Sequence, residues 1–156
     1  MKLIIDGYNL LYKLFKKEPF TLLEEERGYL LQLLNAYKKI KKHKLTIVFD
    51  GQHFDKFNSK GVTVIFTENG ITADKYIIDY VRENKGVVVI TSDNEIINCI
   101  SNFGVEAIKS EIFASKLEEA FYTDLKGVDE FQEDEYLPGK KLKKKERRKT
   151  KVIKKL

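Results

Sequence analysis

The sequence predicts an α/β fold with a mainly parallel sheet of about five strands. Short, uniformly apolar segments alternate with longer segments whose apolar residues recur at helical spacing, as in sheets that are covered by helices. The short segments lack alternating polar residues, which indicates that both faces of the sheet are covered. A chain of 156 residues, 42% of them hydrophobic, fits about one domain with its own core.

The predicted strands are the short segments in which every residue, or nearly every residue, is apolar. They cover residues 2–6, 45–49, 62–66, 87–90 and, with the weakest pattern, 105–108. The polar residues 51–60 are predicted as a loop between the second and third strands.

Helices are predicted where a capping residue precedes helical spacing. Thr21 and Glu24 form a capping-box pattern, and Thr72 and Ser110 are cap residues for later helices. The basic segment 38–44 suits the end of the first helix, because cations complement the C-terminal helix dipole. The four predicted helices run from residue 21 to this basic segment, from 72 to about 83, from 93 to 102 and from 110 to about 122.

The net charge of +5 is divided unevenly along the chain. Residues 138–156 hold 11 Lys or Arg and one acidic residue, so they carry +10, whereas residues 1–137 carry −5. We predict a folded domain over residues 1–125, followed over residues 126–156 by an acidic segment and a basic tail that is disordered or helical. A Pro-Gly pair at 138–139 marks the break before this tail. The tail favours a polyanionic partner.

Three observations favour a cytoplasmic protein with no membrane association. No apolar run approaches the roughly 20 residues that a membrane span needs. The N-terminal sequence lacks the long apolar stretch and cleavage site of a signal peptide. The single cysteine, Cys99, excludes an internal disulfide and fits a reducing compartment.

Four aspartates are predicted to share one pocket. Asp6 and Asp50 each end a predicted strand, Asp93 lies just beyond another, and Asp74 opens a predicted helix. The carboxyl ends of parallel strands lie at the same edge of the sheet, which is where ligands bind in such folds. At about 4 Å, two carboxylates repel each other by roughly 4 kcal/mol in an effective dielectric near 20.

This repulsion leaves two outcomes for the pocket: some carboxyl groups keep a proton, or a divalent cation binds. Carboxylate oxygens without clustered His or Cys favour Mg²⁺ or Mn²⁺ over Zn²⁺, and His43 and His53 lack zinc-ligand spacing. Each aspartate also has a simpler interpretation as a turn former or a helix cap. Asn9 lies one turn from Asp6 and either adds an amide to the pocket or caps a helix.

The segments around these aspartates resemble the YacP-like NYN-domain proteins of the PIN-like nuclease superfamily. The resemblance covers about residues 1–125 and rests on IIDGYNL at 4–10, VFDG at 48–51, TADKYI at 72–77 and VITSD at 89–93. It implies a Rossmann-like, three-layer fold and a ribonuclease that depends on Mg²⁺ or Mn²⁺. In some relatives the substrate is messenger RNA engaged by the ribosome, so single-stranded RNA and the ribosome are the implied partners.

The resemblance also implies which residues form the site. Asp6 and Asp93 would be the most direct metal ligands in phosphodiester hydrolysis, Asp50 and Asp74 would complete the site, and Asn9 would support it.

An acidic pocket repels RNA, so cations outside it must hold the phosphates. The basic tail is one candidate, the basic segment 38–44 is another, and Tyr8, Tyr12 and Tyr76 could stack bases at the rim or simply pack. The individual RNA-binding candidates are Lys13, Lys16, Lys140, Lys141, Lys143, Lys144, Lys145, Arg147 and Arg148.

The main alternative function is a non-catalytic RNA- or ribosome-binding module with the same fold. The complete set of four aspartates argues against it. Receiver domains and haloacid-dehalogenase phosphatases need a second acid close after the first strand, where Gly7 and Tyr8 follow Asp6. A phosphate-loop NTPase is excluded, because no glycine-rich loop ends in Gly-Lys-Ser/Thr.

Overall fold

The structure is a computed structural model that describes residues 1–16, 23–126 and 144–156. A sheet of six strands forms the centre of this part of the chain. The strand order is β3-β4-β2-β1-β5-β6, and β3 alone among these six runs antiparallel to its neighbour. The strands are β1 (Lys2–Asp6), β2 (Lys44–Phe49), β3 (Asp55–Ser59), β4 (Val62–Phe66), β5 (Val87–Ile90) and β6 (Ala107–Ile108).

Helices cover both faces of the sheet and produce three layers. Alternate residues of β1 show the division, because Leu3 and Ile5 join one hydrophobic core and Ile4 joins the other. The first core includes residues of α1, α2 and α5, and the second includes residues of α3 and α4. The six helices within the described residues are α1 (Gly7–Phe15), α2 (Leu23–Ile40), α3 (Ala73–Glu83), α4 (Asn94–Ser101), α5 (Ser110–Lys126) and α6 (Lys144–Lys155).

The predicted α/β class with a mainly parallel sheet is confirmed, but the predicted loop 51–60 is partly wrong. Strand β3 occupies 55–59 and pairs with β4 through the two-residue turn Lys60-Gly61. Both turn residues have positive φ, 48° and 90°, as a type I′ hairpin requires. The sequence did not predict β3, because an edge strand that is exposed to water does not need the run of apolar residues by which the other strands were identified.

Two further elements differ from the sequence prediction. Helix α1 was not predicted. Asp6 ends β1 and α1 begins at the next residue, Gly7, so no loop residues in the sequence mark the start of the helix. Strand β6 spans two residues of the predicted 105–108. Thr21 of the predicted capping box lies outside the described residues, as do the acidic segment 127–137, the Pro-Gly pair and Lys140, Lys141 and Lys143.

The C-terminal helix α6 packs on the core at the amino edge of the sheet. Leu156 is buried, and Val152 and Ile153 pack beside it. His43 precedes β2 and donates through Nε2 to the carbonyl oxygen of Lys155 at 2.6 Å. Its Nδ1 lies 3.0 Å from the Met1 ammonium, and burial lowers the pKa of His43, which favours the neutral ring that this arrangement needs. The anchor of α6 is therefore at the end of the sheet opposite to Asp6.

No helix among the described residues has both the length and the apolar character that crossing a bilayer would require. The boundary predicted at residue 125 stays a prediction.

Candidate active site

The carboxyl edge of β1, β2 and β5 carries three of the four predicted aspartates. Asp6 ends β1 and is paired in register with Val48, so it lies next to the end of β2, which Asp50 follows directly. On the other side of β1 lies β5, and Asp93 comes three residues after its last residue and precedes α4. The fourth, Asp74, is the second residue of α3.

Asp6 is the most buried carboxyl group of this site, with 7% of its surface exposed. Burial, followed by the negative charge of Asp74, raises its pKa to about 7, and hydrogen bonds from the Thr91 hydroxyl and the Asn9 N–H oppose this shift in part. The charge of Asp50 makes the smallest contribution. Thr91 donates to Oδ2 of Asp6 at 3.2 Å. A carboxyl group in this setting is poorly stabilised as an anion unless a cation joins it.

Asp74 is the electrostatic centre of the cluster. Burial raises its pKa, and the charges of Asp93, Asp50 and Glu95 raise it further. The nearby carboxyl group of Asp93 therefore favours a proton on Asp74. Because Asp74 is in turn a main cause of the raised pKa of Asp6, it couples both sides of the site. Glu95 is exposed on α4 and contributes charge at the periphery.

Asp50 and Asp93 each accept a backbone N–H at the start of a helix. One oxygen of Asp50 accepts the N–H of Ala73 at the start of α3 at 2.8 Å, and one oxygen of Asp93 accepts the N–H of Glu95 in α4, also at 2.8 Å. Each carboxylate thus caps a helix through one oxygen. The capping bonds fix the side chains at the edge of the site, and the second oxygen of each is not needed for capping.

Asn9 organises the loop that carries Asp93. Its Oδ1 accepts the N–H of Ser92 at 2.9 Å and the hydroxyl of Ser110 at 2.7 Å. These bonds join α1 to the β5–α4 loop and to the start of α5. In the same loop, Thr91 accepts the N–H of Asp93 at 3.1 Å while donating to Asp6. Asn9 therefore acts in the structure as a positioning residue and not as the cap of α1.

A polar network missed by the sequence analysis continues from this loop. The hydroxyl of Ser92 accepts the N–H of Ser110 at 2.9 Å and donates to the carboxylate of Glu111. Lys13 forms an ion pair of 2.9 Å with Glu111. The hydrogen bonds from Lys13 and Ser92 lower the pKa of Glu111 to about 2. The only sequence signal for Glu111 was an acid in the first turn of a helix.

The structure describes the side chains of two predicted RNA-binding lysines, Lys13 and Lys16, and of the predicted stacking residues Tyr8 and Tyr76. Lys13 is engaged by Glu111, and Lys16 is exposed at the end of α1. Tyr8 packs edge-on against Phe49, and Tyr76 stacks on Tyr80. The tail candidates with described backbone lie in α6, namely Lys144, Lys145, Arg147 and Arg148.

Two glycines allow the strand ends to approach the following segments. A Cβ on Gly7 would lie 2.4 Å from the Phe49 ring and 2.8 Å from the carbonyl oxygen of Val48. A Cβ on Gly51 would lie 2.6 Å from the carbonyl oxygen of Thr67. The Asp-Gly pairs of the sequence thus have a steric reason: the glycine admits a neighbour directly beside each aspartate.

The chemistry of these donors suits a hard divalent cation. Asp6, Asp50, Asp74 and Asp93 offer carboxylate oxygens, the ligands that Mg²⁺ and Mn²⁺ prefer. Burial, followed by neighbouring carboxylates, raises the pKa of both Asp6 and Asp74, and a cation would oppose both effects. In the described part of the chain, no three His, Cys, Asp or Glu side chains converge closely enough to hold an ion as they stand. Direct coordination of one ion by three or more of these carboxylates would therefore require them to move closer together.

Comparison with known proteins supports the same conclusion about the fold. A family model, the YacP-like NYN domain, matches residues 3–155. The crystal structure of a tryptophan-to-leucine mutant of Rae1 (YacP) from Bacillus subtilis is 25% identical, with a TM-score of 0.64, over 82% of this chain and 79% of that chain.

A second crystal structure of Rae1 (YacP) from Bacillus subtilis is 24% identical, with a TM-score of 0.63, over 97% of this chain and 81% of that chain. Among curated proteins, none matches the chain. The family match extends through α6, beyond the range over which the sequence motifs carry the resemblance. The chain belongs to the YacP-like NYN domain family, a nuclease-like family of the PIN-like group.

Proposed function

We propose that this protein is a divalent-metal-dependent ribonuclease that cleaves single-stranded RNA as an endonuclease in the cytoplasm. One observation carries the proposal: Asp6 is buried beside Asp74 and Asp50, and its pKa is raised to about 7. A fold has no structural reason to keep such a group, since an amide would satisfy the same hydrogen bond without the charge. A need for negative charge at this place explains it.

Asp6, Asp50, Asp74 and Asp93 would hold Mg²⁺ or Mn²⁺. The bound ion would supply charge stabilisation and an activated water at neutral pH. The residues of the chain have separate tasks around it. Thr91 orients Asp6, and Asn9 fixes the loop that presents Asp93. The helix caps hold one oxygen each of Asp50 and Asp93 in place.

RNA is the proposed substrate because the family is nuclease-like and the tail supplies cations that an acidic site lacks. Messenger RNA engaged by the ribosome falls within this substrate class, as the family resemblance implies. Helix α6 is anchored at the amino edge of the sheet, so its cations would hold a part of the RNA distant from the cleaved bond.

Cleavage of a labelled single-stranded RNA in Mg²⁺ or Mn²⁺ tests the proposal, with Asp6→Asn and Asp93→Asn as the inactive variants. Asp79→Asn is the matched control, because Asp79 lies on α3 like Asp74 but is exposed. We expect the wild type and the control to cleave, and to open a circular RNA as an endonuclease must. Absence of cleavage by the wild type, or equal rates for all four proteins, would contradict the proposal and favour a non-catalytic RNA-binding module.

A further inference from the structure

A row of four aromatic rings crosses the sheet on the face that α1, α2 and α5 cover. It runs from Tyr8 of α1 through Phe49 of β2 and Phe66 of β4 to Phe57 of β3. Successive ring centroids are 5.1, 5.4 and 6.3 Å apart. The last three rings are nearly parallel, with interplanar angles of 23° and 21°. The row begins two residues after Asp6, and Phe49 directly precedes Asp50.

A guanidinium group lies on this row. The Cζ atom of Arg27 is 5.3 Å from the centre of the Phe66 ring, within the range of a cation–π contact, and Nη1 donates to the Tyr8 hydroxyl at 3.4 Å. Among the described side chains, no carboxylate forms an ion pair with Arg27. Within the described residues, Arg27 is thus held by the Phe66 ring and the Tyr8 hydroxyl, with no carboxylate paired to its charge.

The outer end of the row is open to solvent. Phe49 is buried, Phe66 and Tyr8 are half-buried, and Phe57 is 41% exposed on the edge strand. A phenylalanine on an exposed edge strand gains little from folding. Its ring nevertheless continues the row of rings that ends at Tyr8, two residues after Asp6.

We propose that Phe57, Phe66 and Arg27 form a stacking platform for an unpaired base in a part of the RNA away from the phosphate at the acidic site. This inference rests on the proposed function. Four carboxylates repel phosphate, so affinity must come from groups outside the pocket, and stacking on aromatic rings supplies it without regard to base identity. Arg27 adds a planar cation that can stack on a base and bond a phosphate.

Binding of a fluorescein-labelled oligouridylate, followed by anisotropy in the Asp93→Asn background, tests the platform apart from catalysis. We expect Phe57→Ala to raise Kd by about tenfold, within the roughly 5- to 150-fold span expected for one stacked base. Phe57→Tyr should restore binding, whereas Phe57→Leu, which keeps the apolar bulk, should not.

The matched control is Phe103→Ala. Phe103 is 40% exposed and carries Arg82 at 5.0 Å from its ring centre, but it lies at the far ends of α3 and α4. An oligouridylate with one abasic position adds a second readout. When the abasic position is the one that stacks on the platform, the protein with Phe57 should bind this RNA about tenfold more weakly than the intact oligouridylate. The Phe57→Ala protein should bind both RNAs equally.

The outcomes separate the two proposals. Equal RNA affinity of the Phe57→Ala and Phe103→Ala proteins would overturn the platform and leave the ribonuclease proposal standing. If binding depends on the base and on Phe57, but the wild type cleaves no RNA, the results would support the platform and overturn the ribonuclease proposal. Absence of any binding to the oligouridylate would overturn the platform, whereas the ribonuclease proposal is decided by RNA cleavage with the wild type.

Discussion

Asn in place of Asp6 should make the metal-free protein more stable at alkaline pH. Burial and the neighbouring carboxylates raise the pKa of Asp6 from 3.8 to about 7. The folded state therefore binds more protons than the unfolded state between these pH values, and stability falls as pH rises through this window. Each pKa unit corresponds to about 1.4 kcal/mol, so the ionised group destabilises the fold by up to about 4 kcal/mol.

The comparison of the two proteins isolates this effect. Near pH 3 the wild type and Asp6→Asn should unfold at similar urea concentrations, because Asp6 is then largely protonated in both states. Near pH 8 the variant should be the more stable by up to about 4 kcal/mol. The assay is urea unfolding in a chelator over a series of pH values. Asp79→Asn, at an exposed position of α3, should follow the wild type throughout.

A divalent cation should reverse the difference. Mg²⁺ or Mn²⁺ favours the ionised carboxylates, so it should stabilise the wild type near pH 8 more than Asp6→Asn. Parallel pH curves for the two proteins in chelator would refute the electrostatic reasoning, because they would mean that Asp6 ionises as easily in the folded as in the unfolded chain.

Three further predictions concern the supports of the site. Thr91→Val removes a buried hydroxyl that bonds Asp6 and the N–H of Asp93. We expect the free energy of unfolding in urea near pH 8 to fall by about 1–3 kcal/mol. An unchanged urea midpoint would contradict the role of this hydroxyl. Gly7→Ala should lower the free energy of unfolding by about 1–3 kcal/mol, since its Cβ would lie 2.4 Å from the Phe49 ring. Gly28→Ala on α2, whose Cβ would have nothing within 4 Å, should instead raise the free energy of unfolding by about 0.5–1 kcal/mol. Equal melting temperatures of the two variants would count against the steric argument. The last substitutions replace three cations of α6 by Gln, namely Lys144, Lys145 and Arg147. They should reduce the slope of the logarithm of the RNA-binding constant against the logarithm of the salt concentration by about 2 for single-stranded RNA. An unaltered slope would exclude phosphate contacts at these residues.

The strand ends were predictable from sequence because burial on both faces leaves a simple signature. Each apolar run stops at the residue that leaves the sheet, so the positions of Asp6 and Asp50 followed from the runs before them. Parallel pairing then required those ends to share an edge. The edge strand β3 left no such signature, because its residues are exposed and its turn is formed by Lys60 and Gly61.

The partners of the site residues were not predictable in the same way. Asn9 bonds Ser92 and Ser110, which are 83 and 101 residues away in sequence, and no local pattern specifies which hydroxyl or N–H the fold brings to an amide. The same holds for Arg27, whose position over Phe66 depends on how α2 crosses the sheet. The anchoring of the tail through Leu156 also depends on packing, because isolated apolar residues in a basic segment resemble a solvated helix.

Asp74 is the residue whose removal tests the acidic site most directly, since its charge couples to Asp6, Asp50 and Asp93. The measurement is the single-turnover rate of single-stranded RNA cleavage in Mn²⁺ for Asp74→Asn and Asp79→Asn, two substitutions on the same helix. We predict that Asp74→Asn lowers the rate by about 100-fold or more and that Asp79→Asn leaves it at the wild-type value. Equal rates for both variants would contradict an acidic metal site at this edge of the sheet.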